Sequence, residues 1–146
     1  LDPQARHSVW DQIRIFKNEG KTVLLTTHYM DEAEILCDQL AIMDSGKILI
    51  QGNPRELIRE TIGDYAAELV ALSFGKDEKT LDLIEKKCKL IDVNFSRVTD
   101  RIILYGKEIE NIISEFKNEG NLTDIIRRRA TLEDVFLNLT GRQLRD

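Results

Sequence analysis

Residues Lys21 to Glu34 read K-T-V-L-L-T-T-H-Y-M-D-E-A-E. A short apolar run, Val23, Leu24 and Leu25, passes through Thr26 and Thr27 into His28, and an acidic amphipathic segment follows. The run is too short and too uniformly apolar for a surface helix. It predicts a strand over 21–27 buried on both faces, the pattern of a parallel sheet. Asp31 to Leu40 predicts a helix with Ala33, Leu36, Cys37 and Leu40 inward, and its acidic residues fall in the early turns, where the helix dipole favours them. One imidazole then stands where a strand stops and a helix starts, the place where open α/β sheets bind ligands. An imidazole there can donate to a phosphate oxygen or hold a water, and Thr26 and Thr27 can add hydroxyls. A histidine that merely packs or caps at a strand end fits the same three residues.

Working outward, Asp2-Pro3 predicts a helix start, with Asp as N-cap and Pro at the first helical position. Val9, Ile13 and Phe16 recur at helical spacing as its buried face, and Gly20 ends it. Leu40 to Gln51 predicts a hairpin turning at Asp44-Ser45-Gly46. Asn53, Pro54 and Glu56 open a further helix that fades at Ile62-Gly63-Asp64. The rhythm changes there, and the expected domains are 1–62 and 63–146. The second half predicts a strand (67–74), a helix (77–88) and two strands (90–98 and 101–105). A helix over 108–119 stopped by Gly120, a strand over 122–129 and a last helix capped by Thr131 and Asp134 complete it. That order, β-α-β-β-α-β plus a terminal helix, is the order of a ferredoxin-like split βαβ unit.

The chain has 146 residues, 42 % hydrophobic and 32 % charged, with a net charge of −5. This is the balance of an ordinary globular protein, and an acidic chain argues against a nucleic-acid partner, whose phosphates call for a basic face. No apolar run approaches the roughly 20 residues of a membrane span, and Leu1-Asp2-Pro3 is not a secretory start. Starting on a helix cap without Met, the chain is expected to be a fragment of something longer. Cys37 and Cys88 lie far apart without metal-type spacing and are expected to be reduced thiols, with no metal site.

Other polar groups carry weaker signals. Asp2 needs no role beyond capping. Asp31, Glu32 and Glu34 are expected to form a solvated face and to complement the helix dipole, because a general base must face a substrate. Arg127, Arg128 and Arg129 are expected to form a solvated edge that discourages strand pairing rather than an anion site. Ser8, Ser45 and Ser73 lack a nucleophile-elbow context. No G-x-x-x-x-G-K-[ST] and no G-x-G-x-x-G loop occurs in these 146 residues, so nothing here cradles a nucleotide's phosphates.

Several phrases together resemble one family. L-D-P-Q-A-R at Leu1 to Arg6 resembles the D-loop of ABC transporter ATPase domains, and V-L-L-T-T-H at Val23 to His28 resembles their switch-histidine strand. D-E-A-E, L-C-D-Q-L-A-I-M-D-S-G-K-I-L-I-Q-G and N-P-R-E-L resemble the stretch that follows. The end, T-L-E-D-V-F-L-N-L-T-G-R-Q-L-R-D, is similar to the tail of drug-exporter ATP-binding subunits of the daunorubicin-resistance type. The resemblance implies an α/β fold: the C-terminal part of a P-loop ABC ATPase core, then a small α+β ferredoxin-like domain. It implies that His28 is the switch histidine contacting the γ-phosphate and that Asp2 is the D-loop aspartate. Thr27 is a further candidate for the nucleotide site. ATP and Mg2+ are the implied cofactors of the full-length protein. A membrane permease and a second ATP-binding subunit are the implied partners, on the cytoplasmic face of the cell membrane. The function implied is ATP-driven export, of a drug or other small molecule. The alternative is a regulatory or dimerisation module without catalysis. Without a phosphate-binding loop the chain alone is expected to be inactive. It is also expected to self-associate through the 21–27 strand, which has lost its neighbours.

Overall fold

The computed structural model describes residues 2–71, 78–118 and 122–141. Leu1, Ser73, the predicted strand end at 72–74, the helix start at Asp77, the stop at Gly120 and the last five tail residues lie outside them. Compactness divides the chain between Pro54 and Arg55, one helix earlier than the change of rhythm at 62/63.

The first unit begins with helix α1, Pro3–Asn18. The Asp2 side chain accepts from the Ala5 N–H at 2.9 Å, and Pro3 sits in the first turn, where its missing N–H costs nothing. Trp10 is the residue this helix buries. The expected face does not form: Val9 and Phe16 are exposed, because the described residues of this unit bring no sheet against them. Residues 21–27, predicted as a buried strand, have no strand assignment and are mostly exposed, Leu24 to 93 %. Local β-propensity cannot hold a strand whose N–H and C=O groups find no ladder partner. Helix α2, Met30–Leu36, is a turn shorter than predicted, since Leu40 is taken up by a strand. That strand, β1 (Leu40–Asp44), pairs antiparallel with β2 (Lys47–Gly52). Ser45 at φ 50° and Gly46 at φ 75° are both left-handed, as a two-residue type I′ turn requires. A bulge beside Ile42 shifts the register, so that Ile42 faces Ile50 while Met43 faces Ile48.

The second unit opens with the body of α3, Pro54–Thr61, which buries Leu57 and Ile58. Strand β3 (Tyr65–Val70), helix α4 (Glu78–Leu90), strands β4 (Phe95–Val98) and β5 (Arg101–Tyr105), helix α5 (Ile109–Phe116) and strand β6 (Asp124–Arg129) follow in the predicted order. The sheet order is β4-β5-β3-β6 with every pair antiparallel. Numbered within the unit this is 2-3-1-4, the ferredoxin-like arrangement that the element order alone had suggested.

Alternation along β3 sorts the two faces. Ala67 and Leu69, with Ile102 and Leu104 of β5, pack against Leu81, Ile84 and Cys88 of α4 and Ile109, Ile112, Ile113 and Phe116 of α5. Ala66, Glu68 and Val70 point the other way, towards α6 (Leu132–Thr140). That helix starts with a complete capping box, Thr131 and Asp134 satisfying each other's backbone N–H, and ends at Gly141 in the left-handed region. Gly63 and Gly106 meet back to back. A Cβ on Gly63 would stand 3.4 Å from the Gly106 Cα, and at φ 88° Gly63 suits no other residue.

The arginine triplet behaves differently from the solvated edge expected. β6 is an edge strand, and Arg127 and Arg129 are exposed. Arg127 forms a bidentate pair with Glu110 of α5 at 2.7 and 3.1 Å. Arg128, one step along and so on the opposite face, is held inside a charge network beneath α6. The position of α6, which no strand pattern reveals, decides that difference.

Candidate functional site

His28 lies at a bend between the extended 21–27 segment and α2, with its side chain exposed. Among the described residues no hydrogen bond reaches its ring. The ring is nevertheless placed: it lies on Tyr29, centroids 4.2 Å apart and planes tilted by 34°. Thr27 is engaged locally. Its Oγ1 accepts the Tyr29 N–H at 3.0 Å, which closes the bend under His28. Asp2 is likewise engaged locally, as the N-cap of α1.

The residue that brings these pieces together is Arg6. It stands one turn beyond Asp2 on α1, and its N–H donates to the Asp2 carbonyl at 3.0 Å. Its guanidinium donates to Asp31 at 2.8 Å and to Glu32 at 3.4 Å, both in the first turn of α2. The guanidinium carbon also lies over the Tyr29 ring at 4.7 Å and over the Trp10 ring at 5.0 Å. Trp10 Nε1 donates to the same Glu32 carboxylate at 2.8 Å, and His7 meets the Trp10 ring edge-on. Asp31 and Glu32 are therefore not simply the solvated face expected of them. Glu32 is largely buried and joins α1 to α2. The signal that could have shown this was the pairing of a cation near the start of one helix with two acids at the start of the next. Single-helix reasoning assigned those acids to the dipole.

In the second unit a surface cleft of about 480 Å³ opens beside Glu68, Asp100, Arg101, Arg128, Glu133 and Asp134. It is rich in charge but poor in free valences. Glu68 accepts from Arg101 and from Arg128 at 2.7 Å, Arg101 forks onto Asp100, and Arg128 forks onto Asp134 at 2.6 and 2.8 Å. Burial pushes the Glu68 carboxyl up, but the hydrogen bonds and charges of Arg128 and Arg101 outweigh it and hold the group below the usual range. Tyr105, buried on the same face, donates to Ser96 at 3.0 Å, and burial pushes its phenol up to about 12. Glu68, Asp100, Arg101, Arg128 and Asp134 satisfy one another, as do Tyr105 and Ser96, so the cleft reads as a structural network.

Among the described residues no cluster of three or more His, Cys, Asp or Glu is placed to hold a metal ion, and no helix is long and apolar enough to cross a membrane. Cys88 is buried and its thiol is pushed up to about 11 by that burial.

Residues 81–141, all in the ferredoxin-like unit, match the family model of the C-terminal domain of the nodulation factor export protein NodI. The whole chain is 36 % identical to the Nod factor export ATP-binding protein I of Ralstonia nicotianae, covering 45 % of that protein. The proteins of the same name from Mesorhizobium japonicum and Burkholderia lata are 35 % and 37 % identical over the whole chain, which covers 41 % and 45 % of them. The chain is similar to these Nod factor export ATP-binding proteins along its entire length. It spans less than half the length of these curated relatives. The ABC ATPase resemblance of Leu1 to Arg6 and Val23 to His28, and the exporter resemblance of the tail, agree with this similarity. These relatives are named for Nod factor export and not for daunorubicin resistance.

Proposed function

We propose that this chain supplies the C-terminal portion of an ABC-type ATP-binding subunit that couples ATP hydrolysis to export. The observation that carries the reading is the His28 ring: exposed, without a protein hydrogen-bond partner among the described residues, and oriented by Tyr29. The exposed ring leaves its nitrogens open to a phosphate oxygen. Phosphoryl transfer asks the protein for positioning and charge stabilisation, which one oriented imidazole donor at the γ-phosphate can provide. Asp2 stands at the D-loop position, where it would face a second ATP-binding subunit. ATP and Mg2+ would be held chiefly by residues outside this chain, since no G-x-x-x-x-G-K-[ST] loop occurs in these 146 residues. When bound, Mg2+ neutralises phosphate charge. His28 orients the terminal phosphate, and Thr27 keeps the bend that aims His28.

The subunit would work with a membrane permease on the cytoplasmic face of the membrane. Its cargo would be a small molecule, and the tail resemblance favours drug-type efflux while the relatives' names point to Nod factor. The alternative of a regulatory or dimerisation module draws on the second unit, whose sheet leaves β4 and β6 as open edges. In the complete subunit, His28→Ala should leave ATP binding nearly intact and lower turnover roughly 100-fold, the usual cost of losing one donor that acts in the transition state. Unchanged turnover would refute the assignment. The 146-residue chain alone should show no hydrolysis above background.

A further inference from the structure

We infer that Arg6 is a positioning residue: it locks the Asp2 end of α1 to the loop that carries His28, so that the two move as one piece. The inference rests on the reading of His28 given above. No property of Arg6 as a generic surface cation explains its surroundings. Its guanidinium is placed over two aromatic rings, Tyr29 at 4.7 Å and Trp10 at 5.0 Å, while it donates to Asp31 at 2.8 Å. Tyr29 is the same ring on which His28 rests at 4.2 Å. The route from Asp2 to His28 is thus short and continuous: the first turn of α1, one guanidinium, one tyrosine ring, one imidazole.

The chemistry also says why arginine is needed. A planar, delocalised cation can lie over a ring face and still present N–H donors in its own plane to carboxylates. Lysine offers a point charge that can reach Asp31 or a ring, but cannot cover both rings. The Trp10 indole N–H donates at 2.8 Å to the same Glu32 oxygen that Arg6 reaches, so the acidic partner is itself fixed. A loop held by a salt bridge alone would retain rotational freedom about the Tyr29 side chain. Stacking removes it, and with it the freedom of the His28 ring.

The experiment is a double-mutant cycle on turnover and ATP affinity in the complete subunit, using Arg6→Ala, Arg6→Lys, His28→Ala and the double variant Arg6→Ala/His28→Ala. Arg6→Ala should lower kcat about 10-fold with KM and ATP affinity nearly unchanged, and Arg6→Lys should recover little of it. In the His28→Ala background the Arg6 substitution should cost almost nothing further, because it acts through the ring already removed. Multiplicative losses in the double variant would overturn the inference while leaving His28 in its role. Full recovery by Arg6→Lys would also overturn it, since charge alone would then suffice. If His28→Ala by itself has no effect, the reading of His28 fails first and the inference with it. Should Arg6→Ala not fold, Tyr29→Leu against Tyr29→Phe tests the same ring: the inference requires a loss in kcat with leucine that phenylalanine restores in large part.

Discussion

Replacing Arg128 by Met removes the central cation from the chain Asp100, Arg101, Glu68, Arg128, Asp134, while an apolar stem of similar length stays in place. The two carboxylates that lose it are affected unequally. Glu68 loses a bond of 2.7 Å but keeps Arg101. Asp134, whose side chain is 5 % exposed, loses both of its charged donors, at 2.6 and 2.8 Å, and keeps the Thr131 N–H and hydroxyl. Removing one partner of a fully buried pair costs about 3–5 kcal/mol. Arg128 is 28 % exposed and both acids keep a partner, so a loss of about 2–3 kcal/mol is expected, close to the cost of two charge-assisted hydrogen bonds. In urea unfolding followed by circular dichroism, that lowers the midpoint of the second unit by about 1–2 M. Arg127→Met is the control. Its pair with Glu110 is exposed on both sides, and its removal should change stability by less than about 1 kcal/mol. Equal effects at the two neighbouring positions would refute the argument that α6 turns one arginine into an internal tie.

The same network sets an acid dependence: the Glu68 carboxyl is held low, so its contribution is present above the unfolded value of about 4.3 and lost as pH falls through the folded value. Arg128→Met should flatten that acid limb without abolishing it, because Arg101 remains. At the alkaline end the Tyr105 phenol, pushed up to about 12, has the opposite sign. Its contribution is present below the unfolded value near 10 and fades as pH rises towards 12, and Tyr105→Phe should remove this slope at a cost of about 1–3 kcal/mol for the Ser96 hydroxyl left unpaired. Thr131→Ala breaks the capping box and should cost about 1 kcal/mol in the same urea assay. Leu24, 93 % exposed in the unpaired 21–27 segment, is the expected centre of self-association. Sedimentation should show Leu24→Asp shifting the chain towards monomer, and identical profiles would discount this segment as the contact.

Much of the second unit was legible because its information is local. Leu81, Ile84 and Cys88, and Ile109, Ile112, Ile113 and Phe116, repeat at helical spacing, and each proved buried. Thr131 and Asp134 cap a helix by contacts within three residues, and Ser45-Gly46 turns a hairpin by its own dihedral angles. The 21–27 segment failed for the converse reason. Its apolar pattern states what the segment needs, two neighbouring strands, but a ladder bond requires a partner that no local preference can provide. In the candidate site, His28 was visible from its place after an apolar run, whereas Arg6 was not, because its four partners lie 4, 23, 25 and 26 residues away.

The sequence by itself determined the helices, the turns, the order of the second unit and the one histidine worth testing, since each depends on neighbours within a few positions. Only the tertiary structure decided which polar groups face one another. Packing α6 across one face of the sheet turned Arg128 from an edge charge into the centre of an ion network. Packing α1 against α2 turned Arg6, Glu32 and Tyr29 into the support of His28. Charge pairing and ring stacking act over a few ångströms in space, and separation along the chain carries no trace of them until the backbone has folded.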